Sequence, residues 1–243
     1  MQARFYAPWY GRFLSPDPGR DQHFEDTQSW NIYSYVRNQP TMQIDPDGMD
    51  AIPVAFPDFK ISAAGTKWSN LGHAGIVTVD KTGHTRYSEY GRYDKAAKGL
   101  TRGGSVPNLV MGKDGLPTKA SLKNLMQVLS KKFGQGGKVE GAYVKNDETK
   151  KMNDYTDSRI KQNDDPNRKE YSLFSNSCAT YQRDVLEAGG VDTPSKVDPR
   201  PNSYIGELQS SNSSTIEYTP GKGGKPDEMK VEDKRFDEKK KEK

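Results

Sequence analysis

The chain has 243 residues, a hydrophobic fraction of 32% and a formal net charge of +4, with Lys/Arg and Asp/Glu interleaved along nearly all of it. That length suits one substantial domain plus an attachment, or two small domains, and so low a hydrophobic share leaves part of the chain without a core of its own. The mild basicity makes no case for nucleic acid. The single cysteine excludes a disulfide framework and a cysteine-rich zinc site, and the absence of an apolar run of about eighteen residues excludes a transmembrane helix.

Residues 1–49 are rich in aromatics, Pro, Asn and Asp and read as short strands and turns, for example Arg4-Phe5-Tyr6, Pro16-Asp17-Pro18-Gly19 and Asp45-Pro46-Asp47-Gly48. So short a stretch buries little surface alone and reads as the end of something larger. Residues 50–219 read as a compact domain. Ile76, Val77 and Val79 form a strand core, Lys81-Thr82-Gly83 a hairpin turn, and Thr85 to Tyr90 the return strand. Thr118 or Ser121 caps a helix whose apolar face is Leu122, Leu125, Met126, Leu129 and Phe133. A polar helix is expected around Glu148 to Ile160. A further helix carries Cys178, Tyr181, Val185 and Ala188 at helical spacing, and Gly189-Gly190 stops it. Residues 220–243 are Lys, Glu, Asp and Gly with almost no apolar groups, and are expected to form a disordered charged tail.

Two islands carry the chemistry. One is Gly72-His73-Ala74-Gly75-Ile76-Val77; the other is Asn176-Ser177-Cys178-Ala179-Thr180-Tyr181. A thiol is a good nucleophile only as thiolate, so it needs a nearby base. Cys178 follows polar residues suited to a helix N-terminus, where N–H groups and the helix dipole stabilise negative charge; the alternative is a small buried hydrophobe. His73 opens a strand between small residues that leave room for another backbone or a substrate, and is the expected general base. A third group should hold the far nitrogen of His73. Counted across the hairpin, residues 89–91 face position 73, which selects Glu89, with His84 beside the turn as the alternative. Cys178 N–H and the side chains of Asn176 or Ser177 are the expected oxyanion donors. Tyr90 and Tyr93 either line the cleft or belong to the strand's aromatic row.

The motifs Ala3-Arg4-Phe5-Tyr6-Ala7-Pro8-Trp9, Gly11-Arg12-Phe13-Leu14-Ser15-Pro16-Asp17-Pro18, Asn31-Ile32-Tyr33-Ser34-Tyr35-Val36-Arg37-Asn38 and Ile44-Asp45-Pro46-Asp47-Gly48 closely resemble the conserved core that ends Rhs (YD-repeat) proteins. This resemblance implies a β-cocoon shell upstream, a toxin after about Met49, delivery by a type VI spike or similar apparatus without a signal peptide, and a cognate immunity protein. It also implies self-cleavage after Met49. Asp17 and Asp26 are the carboxyls placed there, with Asp45 an alternative partner; two carboxyls sharing a proton can serve as acid and base, whereas the plainer reading is that these Asp residues cap turns. Met49 stands where that family most often has Leu.

The order His, acid, Cys, with His73-Ala74-Gly75-Ile76 ahead of Asn176-Ser177-Cys178-Ala179-Thr180-Tyr181, resembles circularly permuted papain-like proteins such as the NlpC/P60 and LRAT-like groups. The extra Ser177, and Tyr181 in place of Phe, are departures. This resemblance implies an α+β fold, an antiparallel sheet packed on the helix that bears Cys178. It also implies a cysteine hydrolase or acyltransferase acting on a peptidoglycan peptide, a protein or a lipid ester. The residues themselves suggest no cofactor and no metal, and no amphipathic membrane-seeking helix stands out, so no stable membrane insertion is expected; with the Rhs resemblance, the expected site of action is the periplasm or cytoplasm of a neighbouring cell. The competing classes are a nuclease toxin, for which His73 and His84 leave few metal ligands, and a non-catalytic binder that blocks its target by occupancy. No glycine-rich phosphate loop suggests a nucleotide.

Overall fold

The computed structural model describes residues 6–7, 9, 12–13, 49–63, 66–68, 72–94, 98–113, 115–146, 148–194, 200–212 and 214–233. The chain divides into a unit Met1–Pro46 and a unit Asp47–Lys243. In the first, β1 (Tyr6–Ala7) pairs antiparallel with β2 (Arg12–Phe13). Asp17, Asp26 and Asp45 lie outside the described residues.

In the second unit the strands are β3 (Met49–Phe56), β4 (Ile61–Ala63), β5 (Thr66–Trp68), β6 (His73–Val79), β7 (Thr85–Gly91), β8 (Leu100–Gly104), β9 (Val139–Gly141), β10 (Val144–Asn146), β11 (Ser214–Thr219) and β12 (Glu228–Asp233). Four helices accompany them: α1 (Lys119–Lys132), α2 (Thr149–Lys161), α3 (Cys178–Ala188) and α4 (Pro201–Asn212). Among the described residues, eight strands form one antiparallel sheet in the order β12-β11-β9-β3-β6-β7-β8, with β10 also paired to β3; β4 and β5 form a separate pair. The protein is thus α+β with an antiparallel sheet.

Helices cover both faces of the sheet, and the strands in the middle therefore read as continuous apolar runs rather than alternating ones. Ala51, Ile52, Val54, Ala55 and Phe56 of β3 are all fully buried. On one face α1 sets Leu122, Leu125, Met126 and Leu129 against Ile52, Val54, Val77, Val79 and Tyr87. On the other, α3 contributes Ala179, Tyr181, Val185 and Leu186, α4 contributes Tyr204, Ile205 and Leu208, and Met152 of α2 joins them over Ala51, Ala55 and Ile76. Pro53 sits inside a central strand without a missing bond, because its partner changes there: β9 pairs with Val54 and Ala55, β10 with residues 49–51, and the gap between them faces Pro53.

The tail departs from expectation. Where a disordered segment was predicted from residue 220, β12 adds to the sheet edge with Met229 opposite Tyr218 and Val231 opposite Ile216. Met229 and Val231 pack on the core while Glu228, Lys230 and Glu232 face outward; an edge strand needs only that period of two, and charged residues are at home on its open side. Asp227 fixes the turn before it, accepting from Tyr218 Oη at 2.7 Å and from Gly221 N–H at 2.8 Å.

Candidate active site

Local sequence explains both halves of the site. Gly72 takes φ +66° and delivers the chain into β6, so that His73 is the strand's first residue. Ser177 caps α3: its hydroxyl accepts from Thr180 N–H, and the Thr180 hydroxyl accepts from Ser177 N–H, a reciprocal capping box. Cys178 is therefore the first helical residue, where the helix dipole favours a thiolate.

The hairpin supplies the carboxylate. Asp80 Oδ1 accepts from Thr82 N–H, the Thr82 hydroxyl and His84 N–H, and Gly83 takes φ +83° in the turn. The register that results puts Glu89 opposite Gly75, one diagonal step from His73 on the same face. Glu89 Oε2 lies 3.1 Å from His73 Nε2. The Tyr93 hydroxyl donates to Glu89 Oε1 at 2.7 Å and meets His73 Nε2 at 3.0 Å; the Tyr87 hydroxyl donates to Glu89 Oε2 at 2.7 Å. Both acceptors at Nε2 place the proton on that nitrogen. His84 is exposed at the turn, away from His73.

Cys178, His73 and Glu89 are 4%, 5% and 7% exposed, so their charges interact with little screening by water. Burial opposes charge on His73, but its hydrogen bonds to Cys178 and Glu89 and the negative charge of both outweigh burial and lift its pKa to about 10. Burial likewise pushes the Cys178 thiol up, yet the hydrogen bond and charge of His73, with donation from Tyr171 and from Ala74 N–H, bring it below the ordinary thiol value. Tyr171 Oη stands 3.8 Å from Cys178 Sγ. Glu89 is held below the usual carboxylate value: burial opposes this, and His73, Tyr87 and Tyr93 overcome it. The arrangement is a cysteine–histidine pair backed by a carboxylate, and the shifts favour the charged form of each of the three groups.

Asn176 and Tyr90 are hydrogen-bonded to each other and both line one concavity. Asn176 Nδ2 donates to Tyr90 Oη at 2.7 Å and to the Glu170 carbonyl at 2.8 Å, so both its donors are taken. Ser177 is used by the helix cap. Sequence reasoning missed Tyr171, Tyr87 and Arg102; the Arg102 guanidinium lies 3.5 Å above the Tyr93 ring. Arg102 sits opposite Glu89 on β8, a strand with little apolar signal. Among the described residues no group of three or more His, Cys, Asp or Glu side chains is placed to hold a metal, and no helix is long and apolar enough to cross a membrane.

The fold is α+β, with a cysteine at a helix start and a histidine at the start of a central strand. Residues 51–193 match the family described as type VI secretion system effector TseH-like, and the chain belongs to that family. The crystal structure of the type VI secretion system effector TseH is similar, with a TM-score of 0.66 and 30% identity over 77% of this chain and 99% of that one. Shorter similarities join it to much longer proteins. The tRNA(Glu)-specific nuclease WapA of Bacillus subtilis subsp. natto is 35% identical over 82 residues, 30% of this chain and 3% of that protein. The tRNA nuclease WapA of Bacillus subtilis is 48% identical over 50 residues, covering 20% and 2%. Toxin subunit YenC2 of Yersinia entomophaga is 46% identical over 46 residues, covering 19% and 4%. The chain spans only a few per cent of the length of these curated relatives.

Proposed function

We propose that this type VI effector is a cysteine hydrolase or acyltransferase with a permuted papain-like fold, acting on an amide or ester bond of a peptidoglycan peptide or a protein. The observation that carries the reading is the buried chain Glu89–His73–Cys178. In it, Cys178 Sγ adds to the carbonyl carbon and the oxygen becomes an oxyanion, stabilised by Cys178 N–H at the helix start. His73 gives its Nδ1 proton to the leaving amine or alcohol as the carbon–nitrogen or carbon–oxygen bond breaks, leaving a thioester. Water, deprotonated by the now neutral His73, hydrolyses it; a second acceptor in place of water makes the reaction a transfer. Glu89 and Tyr93 keep the ring oriented throughout.

The chain is further proposed to be the toxin end of an Rhs polypeptide, cut after Met49 by Asp17 and Asp26 or Asp45, and neutralised by an immunity protein. Its motifs before residue 49 support this. The nuclease activities named for the WapA proteins belong to those proteins. The test is growth of a bacterial host expressing the full chain, with and without an added export signal, as wild type and Cys178→Ala. Toxicity only on export, lost in the variant, is expected for a wall substrate. Thiol-dependent toxicity in the cytoplasm points to a protein substrate there. A folded Cys178→Ala protein that kills as well as wild type sinks the thiol mechanism in favour of the nuclease or binder classes.

A further inference from the structure

Helix α3 meets the sheet mostly through apolar side chains, with Ala179, Tyr181, Val185 and Leu186 packed over Ala51, Ala55 and Ile76. Such contact is non-directional, so it holds the helix down without fixing how far it slides. Gln182 stands among these residues. It is 1% exposed, and lies one turn after Cys178 on the same helix face. Its amide nitrogen donates to the Val54 carbonyl of β3 at 3.0 Å and to the Gly75 carbonyl of β6 at 2.5 Å. Val54 and Gly75 are opposite one another in the β3–β6 ladder. One side chain therefore joins the helix that bears the thiol to two central strands. One of them opens with His73, two residues before Gly75. Gly75 also faces Glu89 on the β7 side, so the point of attachment lies between the histidine and the carboxylate.

Stability does not explain this choice of residue. Gln is mostly found exposed, and here Oε1 is buried with no hydrogen-bond partner among the described residues. An unpaired buried acceptor costs free energy, whereas Met or Leu, of similar size, would pack in this apolar layer without that cost. Reversing the amide gives no relief, because it would aim the oxygen at two carbonyls. What the chain keeps at this position is a pair of donors held in one plane. The Tyr181 hydroxyl gives α3 another polar tie, to Ser88 Oγ on β7 at 2.9 Å, but hydroxyls rotate to suit their partners and a carboxamide with two fixed acceptors does not.

We infer that Gln182 is a positioning residue for the thiol: its carboxamide sets the slide of α3 along β3 and β6, and with it the separation of Cys178 Sγ from the His73 ring. The inference rests on the thiol reading above and adds the device that holds the reacting pair together. The tolerance is narrow. A helix advances only about 1.5 Å per residue, and a misplacement of about 1 Å at the reacting atoms costs on the order of 10²-fold in rate.

The test follows alkylation by iodoacetamide across pH in the full chain, where Cys178 is the only cysteine. It compares wild type, Gln182→Met, Gln182→Leu and Gln209→Met, each also unfolded in urea. Gln209 is the control: its Nε2 donates to the Gly141 carbonyl at 3.0 Å and so ties α4, which carries no site residue, to β9. The two Gln182 variants should unfold at about the urea concentration of the wild type. Their pH of half-maximal alkylation should nevertheless rise by about one unit or more, since a close opposite charge lowers a pKa by about 1–3 units. Gln209→Met should leave the profile in place. A folded Gln182→Met protein with the wild-type profile, or an equal shift in Gln209→Met, overturns the positioning role. Failure of both Gln182 variants to fold overturns it too, and makes the carboxamide a requirement of the fold instead. A wild-type profile like that of an ordinary thiol rejects the thiol reading and the inference together, whereas a low wild-type value with unmoved Gln182 variants rejects the inference alone.

Discussion

The Tyr87 phenol lies directly over Gly75: a Cβ built on Gly75 would stand 2.3 Å from Tyr87 Oη. The small residues that follow His73 thus make room for a side chain that holds the carboxylate, since the same hydroxyl donates to Glu89. Gly75→Ala has no space unless the Tyr87 ring moves, and Tyr87 is fully buried against Phe133, with ring centres 4.1 Å apart. Overpacking of this kind costs about 1–3 kcal/mol. The variant should melt at lower temperature and lose the hydrogen bond to Glu89, so both stability and thiol reactivity should fall. Unchanged alkylation kinetics would mean that Tyr87 does not position Glu89.

Glu89 favours the protonated form of His73 through its charge and its contact with Nε2. Glu89→Gln removes the charge, lowers the His73 pKa and thereby lets the Cys178 pKa rise. The pH at which iodoacetamide alkylation of wild-type Cys178 reaches half its plateau should lie below that of an ordinary thiol, and the variant should move it upward. Turnover should drop by roughly 10²- to 10⁴-fold, the range for a misdirected general base. Tyr93→Phe keeps the charge and loses one bond to each partner, so its shift should have the same sign and be smaller.

Stability should follow pH through the same groups. Glu89 has a folded pKa below its ordinary 4.5, so its contribution is present above that value and is lost as pH falls through the folded value. His73 has a folded pKa raised from 6.5 to about 10, so its contribution is complete below 6.5 and is lost as pH rises through about 10. Urea unfolding of the wild type should therefore weaken toward both extremes. Glu89→Gln should flatten the acid side and His73→Gln the alkaline side. Parallel profiles for all three proteins would show that the site carries no such linkage.

The final strand should matter despite its composition. Removing residues 222–243 strips β12 from β11 and uncovers Ile216 and Tyr218, which are fully or almost fully buried. Loss of the Met229 and Val231 contacts, at about 1.5–3 kcal/mol for each fully buried side chain and less for these half-covered ones, should lower the unfolding free energy by roughly 2 kcal/mol or more. A truncated protein with the melting temperature of the full chain would show β12 to be dispensable.

The features legible in the sequence were those written in local patterns. The apolar stripe of α1, the hairpin between β6 and β7 with its Asp80–Gly83 turn, and the polar cap ahead of Cys178 all depend on residues within a few positions of one another. Counting back from that turn was enough to bring Glu89 near His73, because antiparallel register follows from turn geometry. Strands β8, β9, β10 and β12 and helix α4 were not read, since they are short or polar and owe their existence to the partners they meet.

Tertiary structure alone decided the surroundings that set the chemistry. That Asn176 spends its amide on Tyr90 and the Glu170 carbonyl, that Tyr171 reaches the sulfur, and that Arg159 lies over Tyr90 beside a polar cavity are contacts between segments far apart in the chain. Residue types and spacing determined which groups could be acid, base and nucleophile. Their protonation states were decided only by burial and by neighbours that no local pattern encodes.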